Sequence, residues 1–429
     1  MVIRIGKNTE SVAEIMTLGV ENATFIDKLC ALLLAVSPIL QHYRGLYQNA
    51  GFTVLLIVMP FLLLRLLTKR VVVNRVLLGL MPLLIFEIYS AIVHSSNISR
   101  LMYVLFISLL FIIVASGCVN TGFFLKYATG IISIASGLLI VQYISHYIFR
   151  HTINMRPLSL LVSQNLIWVR HSLTNYTARK LYRPAAFFLE PSHFFLYAFP
   201  ILCILLLSPN MTNYRKRLAI WITMGMLMTT SGFGIFVSIG LWGVYFLLYS
   251  GEQRKQRVIS RFASGRSILL IVVFVVIIIL AYLFIPLFQR SVNRVIFASE
   301  GSNAIDGRIR LARNYISTIS GRAIWFGQAG VSSGLDFNLA GFFATYIKWG
   351  VIGVVLTYWY YGQGLWKLKG CYFWMTLIII IISFFTAHTH GTFYMLYFMV
   401  FLMNGYAEKH SYSLAKYAKS ELYSHLVGS

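Results

Sequence analysis

The sequence predicts an all-α integral membrane protein, a polytopic bundle of about twelve transmembrane helices with two long, partly helical external loops. Three observations predict it. Of 429 residues, 58% are hydrophobic, 15% aromatic and only 11% charged, whereas a soluble domain carries roughly 25% charged residues. The apolar residues come in blocks of membrane-spanning length, which a water-facing surface could not accommodate. The 36 Lys and Arg against 12 acids, a net +24, read here as basic loops on anionic lipid rather than as a nucleic-acid surface. Cys30, Cys118, Cys203 and Cys371 lie in or beside apolar runs and form no CxxC, which argues against a disulfide framework or a zinc site.

A bilayer core of about 30 Å needs roughly 20 apolar residues per helix. Candidate spans are 27–43, 51–68, 74–94, 101–118, 125–148, 188–208, 216–230, 232–250, 267–288, 339–360, 371–387 and 391–407. Glu10, Glu14 and Glu21 precede the first apolar run, so a short interfacial segment is expected there rather than a cleavable signal peptide. The chain reads as one transmembrane domain over 1–429. Its N-terminus (1–26) and its tail (408–429) are cytoplasmic, and its external loops cover 149–187 and 289–338. This orientation places Lys69, Arg70, Arg75, the Arg215–Arg217 run, the basic cluster Arg254–Arg266, Lys367 and Lys369 inside, as the positive-inside rule requires.

Both external loops are nonetheless rich in arginine. The first has Arg150, Arg156, Arg170, Arg179 and Arg183; the second has Arg290, Arg294, Arg308, Arg310, Arg313 and Arg322. Either these touch lipid phosphates, or they recognise an external anionic substrate, since guanidinium forks bind phosphate oxygens bidentately and stay charged.

The most specific stretch runs from Arg183 through Phe187-Phe188-Leu189-Glu190-Pro191-Ser192-His193. Pro191 suits the first position of a helix, where its missing N–H would be unpaired anyway. The sixth span should therefore start at Glu190, with its carboxylate favoured by the helix dipole and His193 one turn on. One reading is a helix-start acid without chemistry. The other is a carboxylate that takes a proton or orients Arg183.

In the second loop, Ile309, Ala312, Ile316 and Ile319 recur at helical spacing, with Arg310, Arg313 and Ser317 on a different stripe and Gly321 at the C′ position. This predicts an amphipathic helix at the outer interface, either purely structural or holding a lipid diphosphate. Trp325-Phe326-Gly327 and Gly330 then suggest a tight turn with an aromatic surface for sugar. Glu87, the other intramembrane acid, reads as a structural contact. His388 and His390 could face the same cavity, although two histidines in a short loop are often merely solvated, and an HxH pair is weak evidence for metal.

No GxxxxGK[ST] loop and no DxD carboxylate cluster is present, so neither ATP nor a metal-bound nucleotide-sugar is indicated. An enzyme of this kind needs a substrate that arrives activated and lipid-borne.

The Arg183…Glu190-Pro191-Ser192-His193 segment resembles one before a central span of bacterial Wzy-type O-antigen and capsule polymerases, in the O-antigen ligase/polymerase superfamily. So does the Thr229-Thr230-Ser231-Gly232 break between two spans. The second loop is similar too: Gly307-Arg308, a helix, Trp325-Phe326-Gly327, then Gly350-Val351-Ile352-Gly353, with Arg310 and Gly321 at Arg-x10-Gly spacing. The resemblance implies a metal-independent inverting glycosyltransferase of the bacterial inner membrane, acting on the external face without a cofactor. It would join oligosaccharide repeat units carried on undecaprenyl diphosphate. Candidate partners are a chain-length regulator and a flippase, with no nucleic acid. Related ligases carry a His-Asn pair where this chain has Asp336-Phe337-Asn338, so the histidine is missing and the general base stays open.

The residues expected to bind diphosphate or glycan are Arg183, Arg308, Arg310, Arg313, Arg322, Trp325, His388 and His390. Glu190 is the first candidate for base or orienter, followed by Asp306, Asp336 and His193. The competing classes are a ligase of the same superfamily, a lipid-linked oligosaccharide flippase or transporter, a peptidoglycan-type polymerase of shape and division, whose loop pattern is not seen here, and a non-enzymatic scaffold. A transporter would place polar groups near the midplane and show paired halves.

Overall fold

A computed structural model of the chain describes residues 24–46, 49–68, 75–94, 98–163, 182–208, 212–248, 319–328 and 341–407, with positions 167, 283, 289, 312, 316 and 317. Every regular element among the described residues is helical; the extended backbone pairs only in one antiparallel bridge, Tyr43 with Leu161. The helices are α1 (Phe25–Leu40), α2 (Ala50–Thr68), α3 (Arg75–His94), α4 (Ile98–Ala115), α5 (Thr121–Tyr147), α6 (Pro191–Leu207), α7 (Asn213–Met228) and α8 (Gly232–Leu248). After these come the five-residue α9 (Arg322–Phe326), then α10 (Gly341–Lys367), α11 (Cys371–Phe385) and α12 (Thr392–Ala407).

Eleven of the twelve expected spans coincide with these helices; the segment 267–288 lies outside the described residues apart from position 283. Five helices, α2 to α5 and α10, are long and apolar enough to cross a membrane. Four more, α6, α8, α11 and α12, are apolar but only 10–17 residues long. α1 starts with Asp27 and Lys28, and α7 with Arg215, Lys216 and Arg217, which lowers their apolar character.

Local chemistry explains where the helices begin. Asp27 N–H donates to Thr24 Oγ1 (3.3 Å) while Thr24 N–H donates to Asp27 Oδ2 (3.2 Å), a capping box that opens α1. Asn120 Oδ1 accepts from Phe123 N–H at α5, and Thr212 Oγ1 from Arg215 N–H at α7. Pro191 is the first residue of α6.

The chain divides into two compact units. Unit 1 takes α1 to α4, the first turns of α5, and α9 to α12. Within it α1 packs on α2, where the Arg65 guanidinium donates to the Asp27 carboxylate between largely buried side chains. α3 packs on α4 and α10, and α10 on α9 and α11. Small residues allow these approaches: a methyl on Gly341 would strike the Ser383 and Thr386 carbonyls, and one on Gly364 the Thr376 side chain. α12 is buried from Phe393 to Ala407. Its Asn404 accepts from Thr121 Oγ1 (3.1 Å) and donates to the Tyr372 hydroxyl (2.5 Å), so an interior amide is satisfied on both sides.

Unit 2 takes residues 42–44, the rest of α5, and α6 to α8. α6, buried almost throughout, packs on α7 and α8. Trp221 Nε1–H donates to the Ser133 carbonyl (2.9 Å), and Gly225 leaves room for the Ser136 side chain, which fixes α7 on α5.

Of the apolar stripe expected in the second loop, Ala312 and Ile319 are buried with Ala344 and Ile347 of α10, while Ile309 and most of the segment lie outside the described residues. Gly321 adopts a positive φ of 57°, as a chain reversal there requires.

Candidate functional site

Unit 2 assembles a polar site at the N-terminal end of α6. Its frame is the first long loop, and Gln142 of α5 holds that frame from two sides. Gln142 Nε2–H donates to the Ile153 carbonyl (3.1 Å), and its Oε1 accepts from Ala186 N–H (2.9 Å). Residues 151–153 and the segment entering α6 are thereby tied to one side chain. Ser145 Oγ–H donates to the His151 carbonyl (2.8 Å), and the Tyr182 hydroxyl donates to the Ile153 carbonyl (3.2 Å). Residues 42–44 complete the frame. Arg44 N–H bonds to the Leu160 carbonyl, Val162 N–H bonds to the His42 carbonyl, and the Tyr43 hydroxyl donates to the Phe187 carbonyl at 2.6 Å.

Inside that frame lies Arg156, only 8% exposed. Its Nη1–H donates to the Leu189 carbonyl (2.8 Å) and its Nε–H to Asn154 Oδ1 (3.2 Å). Burial pulls the guanidinium pKa down, while Tyr182, Tyr43 and Glu190 pull it back up. Arg156 on its side opposes the burial that raises the Tyr43 hydroxyl. A charge taken this far from water is expensive unless paired and hydrogen-bonded. Here a carbonyl, an amide oxygen and the field of Glu190 compensate it.

Glu190 is the N-cap of α6, with extended backbone and no side-chain cap bond. Its Oε2 accepts from Ser192 Oγ–H (3.0 Å) in the first turn of α6, and a carboxylate oxygen lies within 4.8 Å of a His193 ring nitrogen. His193 is buried one turn on, stacked on His42 with centroids 4.6 Å apart and planes 7° from parallel. Arg183 is half-buried in the same segment. The Thr229–Gly232 break also serves this segment. Thr230, at a φ of 50°, donates from Oγ1 to the Tyr182 carbonyl (3.4 Å), next to Arg183.

Of the residues expected from sequence, Arg183, Glu190 and His193 thus lie together in unit 2. Asp306, Asp336, Arg308, Arg310 and Arg313 lie outside the described residues. Arg322, Trp325, His388 and His390 belong to unit 1. Arg322 and Trp325 are exposed on α9. The two histidines are not solvated as a short loop would leave them. They sit in a tight 3-10 turn, Ala387–His390, half-buried. His390 Nε2–H donates to the Ser383 carbonyl (3.2 Å), between the edges of Tyr358 and Tyr361. The Tyr361 hydroxyl closes the turn by donating to the Thr389 carbonyl.

The motif Trp325-Phe326-Gly327 meets Gly350-Val351-Ile352-Gly353 directly. Gln328 N–H donates to the Ile347 carbonyl (2.8 Å). A methyl on Gly327 would strike the Lys348 carbonyl, and one on Gly350 would strike that of Trp325. Both glycines have positive φ (73° and 66°), so each is demanded by conformation and by space.

No protein-family model and no curated protein matches the chain. The chemistry of the site therefore rests on its own residues. Unit 2 offers one half-buried arginine, one buried arginine, a half-buried carboxylate and a stacked imidazole pair. Such a set can hold an oxyanion and accept a proton beside it. Sequence reasoning placed Arg156 among the loop arginines without singling it out, and it passed over His42, Gln142 and Lys348. Each of these acts through a partner tens of residues away.

Proposed function

We propose that the chain is a bacterial polysaccharide polymerase, a metal-independent inverting glycosyltransferase that joins undecaprenyl-diphosphate-linked oligosaccharide repeat units on the external face of the inner membrane. The observation that carries this reading is the buried Arg156, bonded to the Leu189 carbonyl and in the field of Glu190. A buried guanidinium is costly, and its bond to the Leu189 carbonyl sets the residue that follows. Arg156 is therefore a positioning residue, and Arg183 and Glu190 are the groups that meet substrate.

In this reaction the acceptor sugar's hydroxyl oxygen attacks the anomeric carbon of the donor glycan. The bond from that carbon to the diphosphate oxygen breaks, and the diphosphate leaves with the electron pair. The Glu190 carboxylate takes the hydroxyl proton. Arg183 offsets charge growing on the leaving oxygens, which is electrostatic catalysis by a group that stays protonated. The apolar helices keep the polyprenyl chain in the bilayer while its head group reaches the loops. Both termini are then cytoplasmic.

The test is polymer formation by the full chain reconstituted with a lipid-linked repeat unit. Glu190→Gln is expected to lower the rate by about 10²–10⁴-fold, and Arg183→Ala by about 10²-fold. Arg156→Lys keeps a charge but loses the fork, and is expected to lower kcat more than it raises KM. Near-normal polymer from both Glu190→Gln and Arg183→Ala would end this reading.

A further inference from the structure

Unit 1 contains a second polar cluster, which the reaction above does not use. α3 and α10 run antiparallel: Gly79 faces the Gln363 side chain, and one helical stretch further on Phe86 meets Gly353. This register brings Glu87 of α3 level with Lys348 of α10, and the two are within electrostatic reach. Glu87 lies seven residues before the end of α3 and Lys348 seven after the start of α10. Both are thus about 10 Å below the same end of unit 1. α4 adds Tyr103, whose hydroxyl shares a hydrogen bond with Thr392 of α12 and lies within electrostatic reach of Glu87. α9 closes the side, with Phe326 against Phe86 and Tyr89 at 6.5 and 5.8 Å between ring centroids. Lys348 remains exposed, its ammonium held over the Trp349 ring at 4.8 Å.

The composition of this cluster says what it can hold. Ionisable groups inside an apolar bundle are expensive and mark functional positions. The carboxylate disfavours an anion at this cluster and the ammonium disfavours a cation. One carboxylate, one ammonium and two hydroxyls, beside aromatic rings, together match the hydroxyl groups of an uncharged sugar. The carboxylate accepts from hydroxyls, the ammonium donates to them, and a ring packs on the sugar's C–H face. A site built to bond hydroxyls discriminates strongly for them, because an analogue without a hydroxyl returns nothing for the polar contacts it displaces.

We propose that Glu87, Lys348, Tyr103 and Thr392 form a binding subsite for a neutral sugar residue. It goes beyond the polymerase reading, on which it rests only for its biological use, and it employs none of the same residues.

The experiment is saturation-transfer NMR on the full chain in lipid nanodiscs, with neutral hexose and N-acetylhexosamine oligosaccharides as probes and their phosphorylated forms as controls. The expected result is transfer to neutral sugars that falls at least about fivefold in Glu87→Gln and in Lys348→Met. The exchanged pair, Glu87→Lys with Lys348→Glu, separates binding from a structural ion pair. It is expected to recover thermal stability and not sugar transfer. Recovery of sugar transfer by the exchange, absence of transfer in the wild-type chain, or equal transfer to the phosphorylated forms would overturn the proposal. Farnesyl diphosphate binding by the wild-type chain, measured in parallel, reports on the unit 2 arginines alone. Its failure counts against the polymerase and leaves this subsite standing.

Discussion

Burial pushes the imidazole of His390 down to about 4, with its bond to the Ser383 carbonyl opposing and Lys348 adding to the shift. The folded chain therefore binds fewer protons than the unfolded chain between that value and the ordinary 6.5. Stability from this residue is complete above about pH 6.5 and is lost as pH falls towards 4, by up to roughly 3 kcal/mol. Melting of the wild-type chain should drop across that window more steeply than melting of His390→Gln. Equal slopes would show that the turn tolerates the charged ring. Single residues also mark what was legible in the sequence. Pro191 and Glu190 announced the start of α6 because helix-start chemistry is local. Arg156 did not stand out among five loop arginines, because its partner carbonyl at Leu189 lies 33 residues away. Glu87 read as a structural contact, but its counter-charge, Lys348, was not legible because it sits on a helix remote in sequence.

At the scale of elements, α1 and α2 are pinned by Asp27 and Arg65, whose side chains are 9% and 10% exposed. Removing one partner leaves the other charge stranded. Asp27→Ala should cost about 3–5 kcal/mol, whereas Asp27→Leu combined with Arg65→Met should be close to neutral. Thermal melting of the three chains in detergent measures the difference, and a double variant as poor as the single one would refute the account. The contact of α9 with α10 includes a close backbone approach at Gly327 and Gly350 beside the packing of Ala323 against the cluster around Ala344 and Ile347. Gly350→Ala adds a methyl where φ is 66° and the Trp325 carbonyl is in the way, so a loss of at least ~2 kcal/mol is expected. Gly362→Ala, on the same helix with open space around it, is the control. Hydropathy located the helices because apolar runs need only a window of sequence. It could not tell that Ala312 and Ile319 pack on Ala344 and Ile347 of α10, since protein and lipid reward the same side chains.

For the whole molecule, the distribution of basic residues predicts an orientation that labelling can check. With both termini inside, Tyr214, 73% exposed at the start of α7, faces the cytoplasm, while Ser159 of the first long loop faces outwards. A maleimide that cannot cross the bilayer, applied to intact cells, is expected to label Ser159→Cys and spare Tyr214→Cys. The opposite pattern would invert the chain and remove its external chemistry. The burial of Cys30, Cys118, Cys203 and Cys371, none in a disulfide, bears on how that is done. Each native sulfur is walled off from aqueous reagents, so a single introduced thiol reports against a silent background. The wild-type chain can serve directly as the parent for every such probe.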